Sequence, residues 1–204
     1  MHEIFSNTTV KNKSDKIAVF ASGTGSNARK IIEYFAQSDS IEVGLVISNK
    51  PEAGVLKIAT EYHIPSLMLE KEKFFRGDHY LGELQTAGIT FIVLAGFLWK
   101  LPPDLIKVYP DKIINIHPAL LPDYGGKGMY GKFVHEAVIK AEETESGITI
   151  HFVDELYDHG RHILQVKCPV LPNDTPESLA NRIHELEHRY YPKVIEEVIL
   201  KSDL

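Results

Sequence analysis

Residues 16–22 read KIAVFAS, a short β-branched and apolar run that passes into Gly-Thr-Gly-Ser-Asn and then into a segment of helical periodicity ending near Gln37. The order is strand, glycine loop, helix. The alternation continues with a strand over 41–48, a helix over 53–62, a short strand over 66–69, a helix over 78–87 and a strand over 91–95. Strands alternating with helices predict right-handed βαβ crossovers, hence an α/β fold with a mostly parallel twisted sheet and helices on both faces.

Pro102-Pro103 opens a short helix, 112–116 is another apolar strand, and a glycine-rich stretch over 124–131 precedes a helical pattern over 133–141. Two further strands are expected over 147–153 and 163–170, with antiparallel pairing between them. A last helix starts at Pro176 and is capped by Asp174 or Thr175. There are no internal repeats or low-complexity tracts. Residues 1–15 read as a polar tail, and 16–200 as one domain.

At 204 residues, 44% hydrophobic and 25% charged, the chain has enough apolar mass for one substantial core. Its net charge of −6 provides no global basic surface, so neither nucleic acid nor an anionic membrane is an expected partner, and an anionic substrate must be held by local groups. No apolar run approaches the roughly 20 residues that span a bilayer, and the first residues lack the core of a signal peptide. The single cysteine, Cys168, cannot form an internal disulfide and points to a reducing compartment, the cytoplasm.

Four segments carry candidate chemistry. Gly23-Thr24-Gly25-Ser26-Asn27-Ala28 fits the loose dinucleotide fingerprint, but the next strand ends Val46-Ile47-Ser48-Asn49-Lys50 and lacks the acidic residue that would hold a ribose. Either way, glycines allow close approach to a phosphate, and the amino end of the following helix can hold it. In Asn115-Ile116-His117-Pro118, strand alternation puts Asn115 and His117 on one face at a carboxyl end, an amide beside an imidazole suited to polarising a carbonyl. Asp158 lies in a polar turn, where a carboxylate can orient a histidine or accept a proton, or be an ordinary turn residue. His184-Glu185-Leu186-Glu187-His188 matches the zinc-protease pattern H-E-x-x-H, yet no histidine follows to complete the ligand set, and no metal is expected.

Taken together, Ser-Gly-Thr-Gly-Ser-Asn (22–27), Leu-Ala-Gly-Phe-Leu (94–98), Asn-Ile-His-Pro-Ala-Leu-Leu-Pro (115–122), His-Phe-Val (151–153) and Glu-His-Arg-Tyr-Tyr-Pro (187–192) resemble the phosphoribosylglycinamide formyltransferases. The resemblance implies a Rossmann-like formyltransferase fold and transfer of a formyl group from 10-formyltetrahydrofolate, a co-substrate, with no tightly bound cofactor. It implies that Gly25, Ser26 and Asn27 hold the substrate phosphate and that Glu187 contacts its sugar or glycinamide part. It makes Asn115 the donor to the formyl oxygen and His117 the proton donor and stabiliser of the tetrahedral intermediate. Asp158 would raise the basicity of His117 and help remove the amine proton. Leu98, Trp99, Lys100, Leu101, Asn115 and Val153 would line the folate pocket, with Arg76 toward the folate tail.

The resemblance also has departures: Trp99-Lys100 stands where many relatives carry Arg-Ile, the 125–131 loop is longer than usual, and Arg161-His162 replaces small apolar residues. Methionyl-tRNA formyltransferases and formyltetrahydrofolate deformylases resemble the same domain but carry an additional one, for which this chain has no expected room. Partners are thus small molecules, with the protein a monomer or homodimer. Two other readings stay open, a formyltransferase for another small amine such as an amino sugar nucleotide, and a non-catalytic nucleotide-binding domain. The glycine loop over 124–131, following the Asn115–His117 strand, is expected to act as a lid.

Overall fold

β1 (Asp15–Phe20) sends Ile17 and Val19 to one face and Ala18 and Phe20 to the other, and all four are buried, as in a strand covered on both sides. In the computed structural model, which describes residues 15–76 and 79–202, this strand lies at the centre of the sheet. It pairs in parallel with β2 (Ile41–Ser48) and β4 (Phe91–Leu94). β3 (Ser66–Met68) extends the sheet beyond β2, and β5 (Ile113–His117) extends it beyond β4. β6 (Glu145–Phe152) and β7 (His162–Pro169) complete it as antiparallel strands, in the order β3-β2-β1-β4-β5-β6-β7. The mixed sheet with antiparallel edge strands is the one the sequence predicts.

One apolar layer joins Ile17 and Val19 to helices α1 (Ser26–Phe35), α2 (Gly54–Glu61), α6 (Lys132–Lys140) and α7 (Pro176–Ser202) through Ile31, Val55, Val138 and Ile183. The opposite layer joins Ala18 and Phe20 to the shorter α3 (Lys71–Phe74), α4 (Leu81–Thr86) and α5 (Pro103–Val108) through Phe74, Leu84 and Leu105. β1, β2, β4 and β5 thus supply both layers, which is why their residues read as continuous apolar runs.

Several boundaries move. Asp15, expected in the tail, already pairs with Ile41, while the rest of that tail lies outside the described residues. α3 has no counterpart in the pattern, since four residues are too few to display a helical period. The helix expected from Asp78 begins at Leu81, and Asp78 itself lies outside the described residues. β6 begins two residues before the expected Gly147, since Glu145 and Ser146 both pair with β7. Thr175 caps α7 by accepting from Ser178 N at 3.2 Å, while Asp174 binds Arg182 at 2.6 Å. α7 runs 27 residues and carries Pro192 inside it. Among the described residues no helix is long and apolar enough to cross a membrane.

The chain leaves β1 toward β2 and β3, then returns to the other side of β1 for β4 and β5. Neighbouring strands therefore send their following loops in opposite directions at the β1–β4 junction, and a crevice opens at their carboxyl ends. Ser22 ties this junction together: its N–H donates to Gly96 O at 3.0 Å, its hydroxyl donates to Asn49 Oδ1 at 2.6 Å, and it accepts from Leu98 N at 2.9 Å.

Candidate active site

The crevice is a cavity of about 620 Å³, one end of which is formed by the glycine loop after β1. Gly25 has φ +82°, a left-handed conformation that favours glycine, and a Cβ there would lie 2.8 Å from Val55 Cα. Gly54 at the start of α2 is equally tight, its Cβ position 2.7 Å from Thr24 O. The loop is therefore pressed against α2 and held in shape. Its consequence is at α1, whose first N–H groups have no intrahelical partner and whose first turn carries no acidic residue, so its positive end faces the cavity unopposed from within the helix.

β5 supplies the chemical centre. Ile114 and Ile116 point into the α1/α7 layer, so alternation sends Asn115 and His117 the other way, into the cavity. His117 Nε2 lies 2.8 Å from the Tyr124 carbonyl, which can only accept, so that nitrogen carries the proton and Nδ1 faces Asp158 Oδ2 at 3.5 Å. Burial lowers the His117 pKa below the ordinary imidazole value, against the opposing pull of Asp158 and the Tyr124 carbonyl. Asp158 does act in the expected direction on His117, but burial outweighs it, and the imidazole rests uncharged at neutral pH.

Asp158 sits in its turn at φ +52°, and Gly126 N–H donates to its Oδ2 at 2.9 Å. Burial pushes its carboxyl upward, yet His151, His117 and the Gly126 N–H together outweigh that and hold it below the usual carboxylate range. The Asn115 amide reaches both sides of this group: its Nδ2 donates to Asp158 Oδ1 at 3.4 Å and to His151 Nε2 at 3.2 Å.

His151 is a site residue that the sequence reading did not assign. The antiparallel register sets it directly opposite Asn115. Its Nδ1 lies 2.8 Å from the Phe152 carbonyl, which fixes the proton there and leaves Nε2 to accept from Asn115. His151 therefore fixes the direction in which the Asn115 amide points. The signal was present in the alternation of β6, which places Thr149 and His151 on one face, but only the pairing register shows what that face meets.

Glu187 and Asn27 close the loop end. Glu187 is 5% exposed, and Asn27 Nδ2 donates to its Oε2 at 2.8 Å. Burial pushes its pKa up to about 7, despite the Asn27 bond, so the carboxyl is easily protonated beside the α1 terminus. At the other end Leu98, Trp99, Lys100, Leu101 and Val153 line the same cavity. Arg76 does not: it borders an adjoining groove that shares Lys100 and Leu101 with the main cavity.

The H-E-x-x-H segment lies within α7. Its histidine rings stack with centroids 6.2 Å apart, and among the described residues no group of three or more His, Cys, Asp or Glu side chains is arranged to hold a metal ion. His184 and Glu187, three residues apart on one face of α7, line the cavity. Protein purified without chelator is expected to contain no stoichiometric zinc, and a chelator to leave activity unchanged. Metal analysis finding one zinc per chain, lost in His184→Ala, would overturn that assignment.

Comparison with known proteins agrees with this geometry. The family model described as formyl transferase matches residues 15–195. The chloroplastic phosphoribosylglycinamide formyltransferase of Arabidopsis thaliana is 44% identical over 186 residues, covering 88% of this chain, and the chain spans 64% of that relative's length. The phosphoribosylglycinamide formyltransferase of Bacillus subtilis (strain 168) is 35% identical over 90% of this chain and 94% of its own. Among solved structures, glycinamide ribonucleotide transformylase 1 of Geobacillus kaustophilus superposes with a TM-score of 0.82 at 34% identity, covering 90% of this chain and 97% of that one.

Proposed function

The chain belongs to the formyl transferase family, and from that premise we propose that it passes the formyl group of 10-formyltetrahydrofolate to the amine of 5-phosphoribosylglycinamide, giving formylglycinamide ribonucleotide and tetrahydrofolate in purine biosynthesis. The observation that carries this reading is the meeting of Asn115, His117 and Asp158 in one cavity, between an anion-holding loop and an apolar pocket. A non-catalytic nucleotide-binding domain has no need of that arrangement.

In this reading the phosphate lies against the N–H groups of Ser26 and Asn27, close to Gly25, and Glu187 contacts the sugar or glycinamide part. The folate occupies the pocket formed by Leu98, Trp99, Lys100, Leu101 and Val153, its tail directed toward Arg76. The amine nitrogen bonds to the formyl carbon while the carbonyl electron pair moves onto oxygen, where the Asn115 amide donates in place of its long bond to Asp158. The amine then loses a proton, with the aid of Asp158, to the free Nδ1 of uncharged His117. The imidazolium so formed is stabilised by Asp158 and in turn stabilises the oxyanion. Collapse of the intermediate breaks the carbon–N10 bond, and His117 returns the proton to N10. No step requires a bound metal or a resident cofactor.

A transfer assay offering glycinamide ribonucleotide beside an amino sugar nucleotide tests the acceptor. Product from the first alone is expected, whereas preferential formylation of the sugar nucleotide would reassign the substrate. We extend the proposal to a cytoplasmic protein on the strength of the buried, unpaired Cys168, and to action as a monomer or homodimer on small molecules.

The 124–131 loop fits a lid, although its glycines act differently from expectation. Gly126, Gly128 and Gly131 all sit at positive φ, so they specify a conformation as well as permit motion. The loop is pinned at its start by the Tyr124–His117 and Gly126–Asp158 bonds, while Lys127 and Tyr130 are exposed beyond them. Hydrogen exchange across 127–131 is expected to slow when a folate analogue and the ribonucleotide bind together, with Met129 and Tyr130 covering the cavity. Unchanged exchange would mean that the loop is no lid, and shortening it should then leave transfer unaffected.

A further inference from the structure

Three consecutive residues after β5 meet both members of the His117–Asp158 pair. Tyr124 offers its carbonyl to His117 Nε2 at 2.8 Å, Gly125 lies where a Cβ would come within 3.3 Å of the Asp158 Cβ, and the Gly126 N–H donates to Asp158 Oδ2 at 2.9 Å. The first of these residues is strained: Tyr124 sits at φ +55°, a left-handed conformation that a bulky side chain adopts only when its surroundings impose it. Upstream, the chain is tied as far as Leu121, whose N–H donates to Thr149 Oγ1 at 3.0 Å and whose carbonyl accepts from Gln165 Nε2 at 2.8 Å. Tyr124 has a tie of its own. Its ring packs on the α1/α7 layer, and its hydroxyl donates to Glu143 Oε1 at 2.7 Å. Glu143 stands in the turn after α6, where its N–H donates to Val138 O at 3.3 Å. The bond to Glu143 pushes the Tyr124 hydroxyl pKa up to about 12, so the hydroxyl stays a donor throughout the neutral range.

We propose that Tyr124 and Glu143 form a positioning pair for formyl transfer, in which the hydroxyl–carboxylate bond holds the strained Tyr124 backbone so that its carbonyl keeps the His117 proton on Nε2. The proposal rests on the reading above, in which the free Nδ1 takes the proton of the attacking amine, and deepens it. A neutral imidazole carries one proton, and two acceptors compete for it here. The Asp158 carboxylate is the stronger acceptor by charge but stands 3.5 Å from Nδ1, at the limit of a hydrogen bond, whereas the Tyr124 carbonyl stands 2.8 Å from Nε2. The carbonyl prevails by its distance. Hydrogen bonds weaken steeply as distance and angle are lost, so a carbonyl that swings away yields the proton to Nδ1 and Asp158. A ring protonated there has no lone pair left on the side of the amine. Neither Tyr124 nor Glu143 lines the cavity, so the pair acts on the state of His117 and not on the holding of either substrate.

The test combines steady-state kinetics with nitrogen NMR of the His117 ring at neutral pH, in the wild type, Tyr124→Phe, Glu143→Ala, Glu143→Gln and the double variant of Tyr124→Phe with Glu143→Ala. Tyr124→Phe keeps the packed ring and removes only the hydroxyl, and Glu143 is a surface residue, so these variants should fold. Tyr124→Phe and Glu143→Ala are each expected to lower kcat about fivefold, the loss of one hydrogen bond to a charged group discounted for its exposure, with KM for both substrates unchanged within about twofold. In both, the ring shifts should move from the Nε2–H form toward the Nδ1–H form. The double variant should lose no more than either single one, because the same bond is removed in all three. Glu143→Gln keeps an acceptor oxygen and should recover most of what Glu143→Ala loses. Additive losses, a loss confined to KM, or a ring that stays in the Nε2–H form in both single variants would each overturn the proposal. If the wild type does not formylate glycinamide ribonucleotide, the acceptor reading fails, and the ring shifts still decide the anchor: a move toward Nδ1–H supports it and an unchanged ring overturns it.

Discussion

His117→Ala and Asn115→Ala are each expected to lower kcat by about two orders of magnitude or more, the usual effect of removing one preorganised donor from a developing oxyanion. The expectation follows from the state in which the structure holds the two groups. His117 is uncharged, with Nε2–H committed to the Tyr124 carbonyl, so only Nδ1 is free to take the proton that the attacking amine must lose. Asn115 is oriented by His151 and contacts Asp158 at a long 3.4 Å, a contact that an oxyanion would readily replace. His117 has no part in holding the phosphate or the folate, so its loss should fall on kcat with KM changing little, whereas loss of Asn115, which also lines the folate pocket, should lower kcat and raise the folate KM modestly. Single-turnover and steady-state rates with saturating substrates provide the measurement. Near-native turnover in both variants would sink the mechanism.

The fold was legible because the central strands β1, β2, β4 and β5 feed two layers. Runs such as Ile17 to Phe20 and Phe91 to Leu94 are apolar at every position, and the glycine loop and proline pairs mark their ends. What escaped was set by tertiary pairing. α3 has four residues and one buried side chain, Phe74, so no periodicity could announce it. Glu145 and Ser146 join β6 because β7 pairs with them, which their own propensities do not reveal.

The site divides along the same line. Asn115 and His117 share a face by strand alternation, a local rule, and were readable as a pair. Asp158 lies 41 residues beyond His117, and its polar turn marked it only as a candidate carboxylate, which the family resemblance alone tied to His117. His151 needed the register of β5 with β6, which the sequence does not display. Arg76 was assigned by resemblance alone, and the chain beyond α3 sets it in the groove that adjoins the main cavity and shares Lys100 and Leu101 with it. The Arg161-His162 departure has a partial account, in that the Arg161 guanidinium stacks 4.3 Å from the centre of the Phe152 ring, at the end of the strand bearing His151.

Gly25→Val is expected to impair the two ends of the cavity unequally, raising KM for the phosphoribosyl substrate by about 100-fold, the equivalent of two charge-assisted hydrogen bonds, while folate affinity changes by less than about threefold. The reasoning starts from backbone geometry. Gly25 lies at φ +82°, which a β-branched residue adopts only under strain, and its Cβ position lies 2.8 Å from Val55 Cα and 2.9 Å from Ile58 Cδ1. Backbone cannot step aside as a flexible side-chain end does, so either α2 shifts or the loop abandons its shape, and in both cases the N–H groups of Ser26 and Asn27 lose their aim at a common point. The folate wall is built on the segment after β4 and on Val153, which the glycine loop reaches through the Ser22–Gly96 and Ser22–Leu98 bonds upstream of Gly25, so it should survive. Asn27→Ala is the companion variant: it keeps the loop backbone, removes the bond to Glu187, and should weaken the phosphoribosyl substrate less than Gly25→Val does. Calorimetry with each ligand separately, on protein whose melting temperature has been checked, distinguishes the outcomes. Equal losses for the two ligands in a folded Gly25→Val protein would mean that the loop supports the whole cavity rather than the phosphate, and the assignment of Gly25, Ser26 and Asn27 to that group would have to be withdrawn.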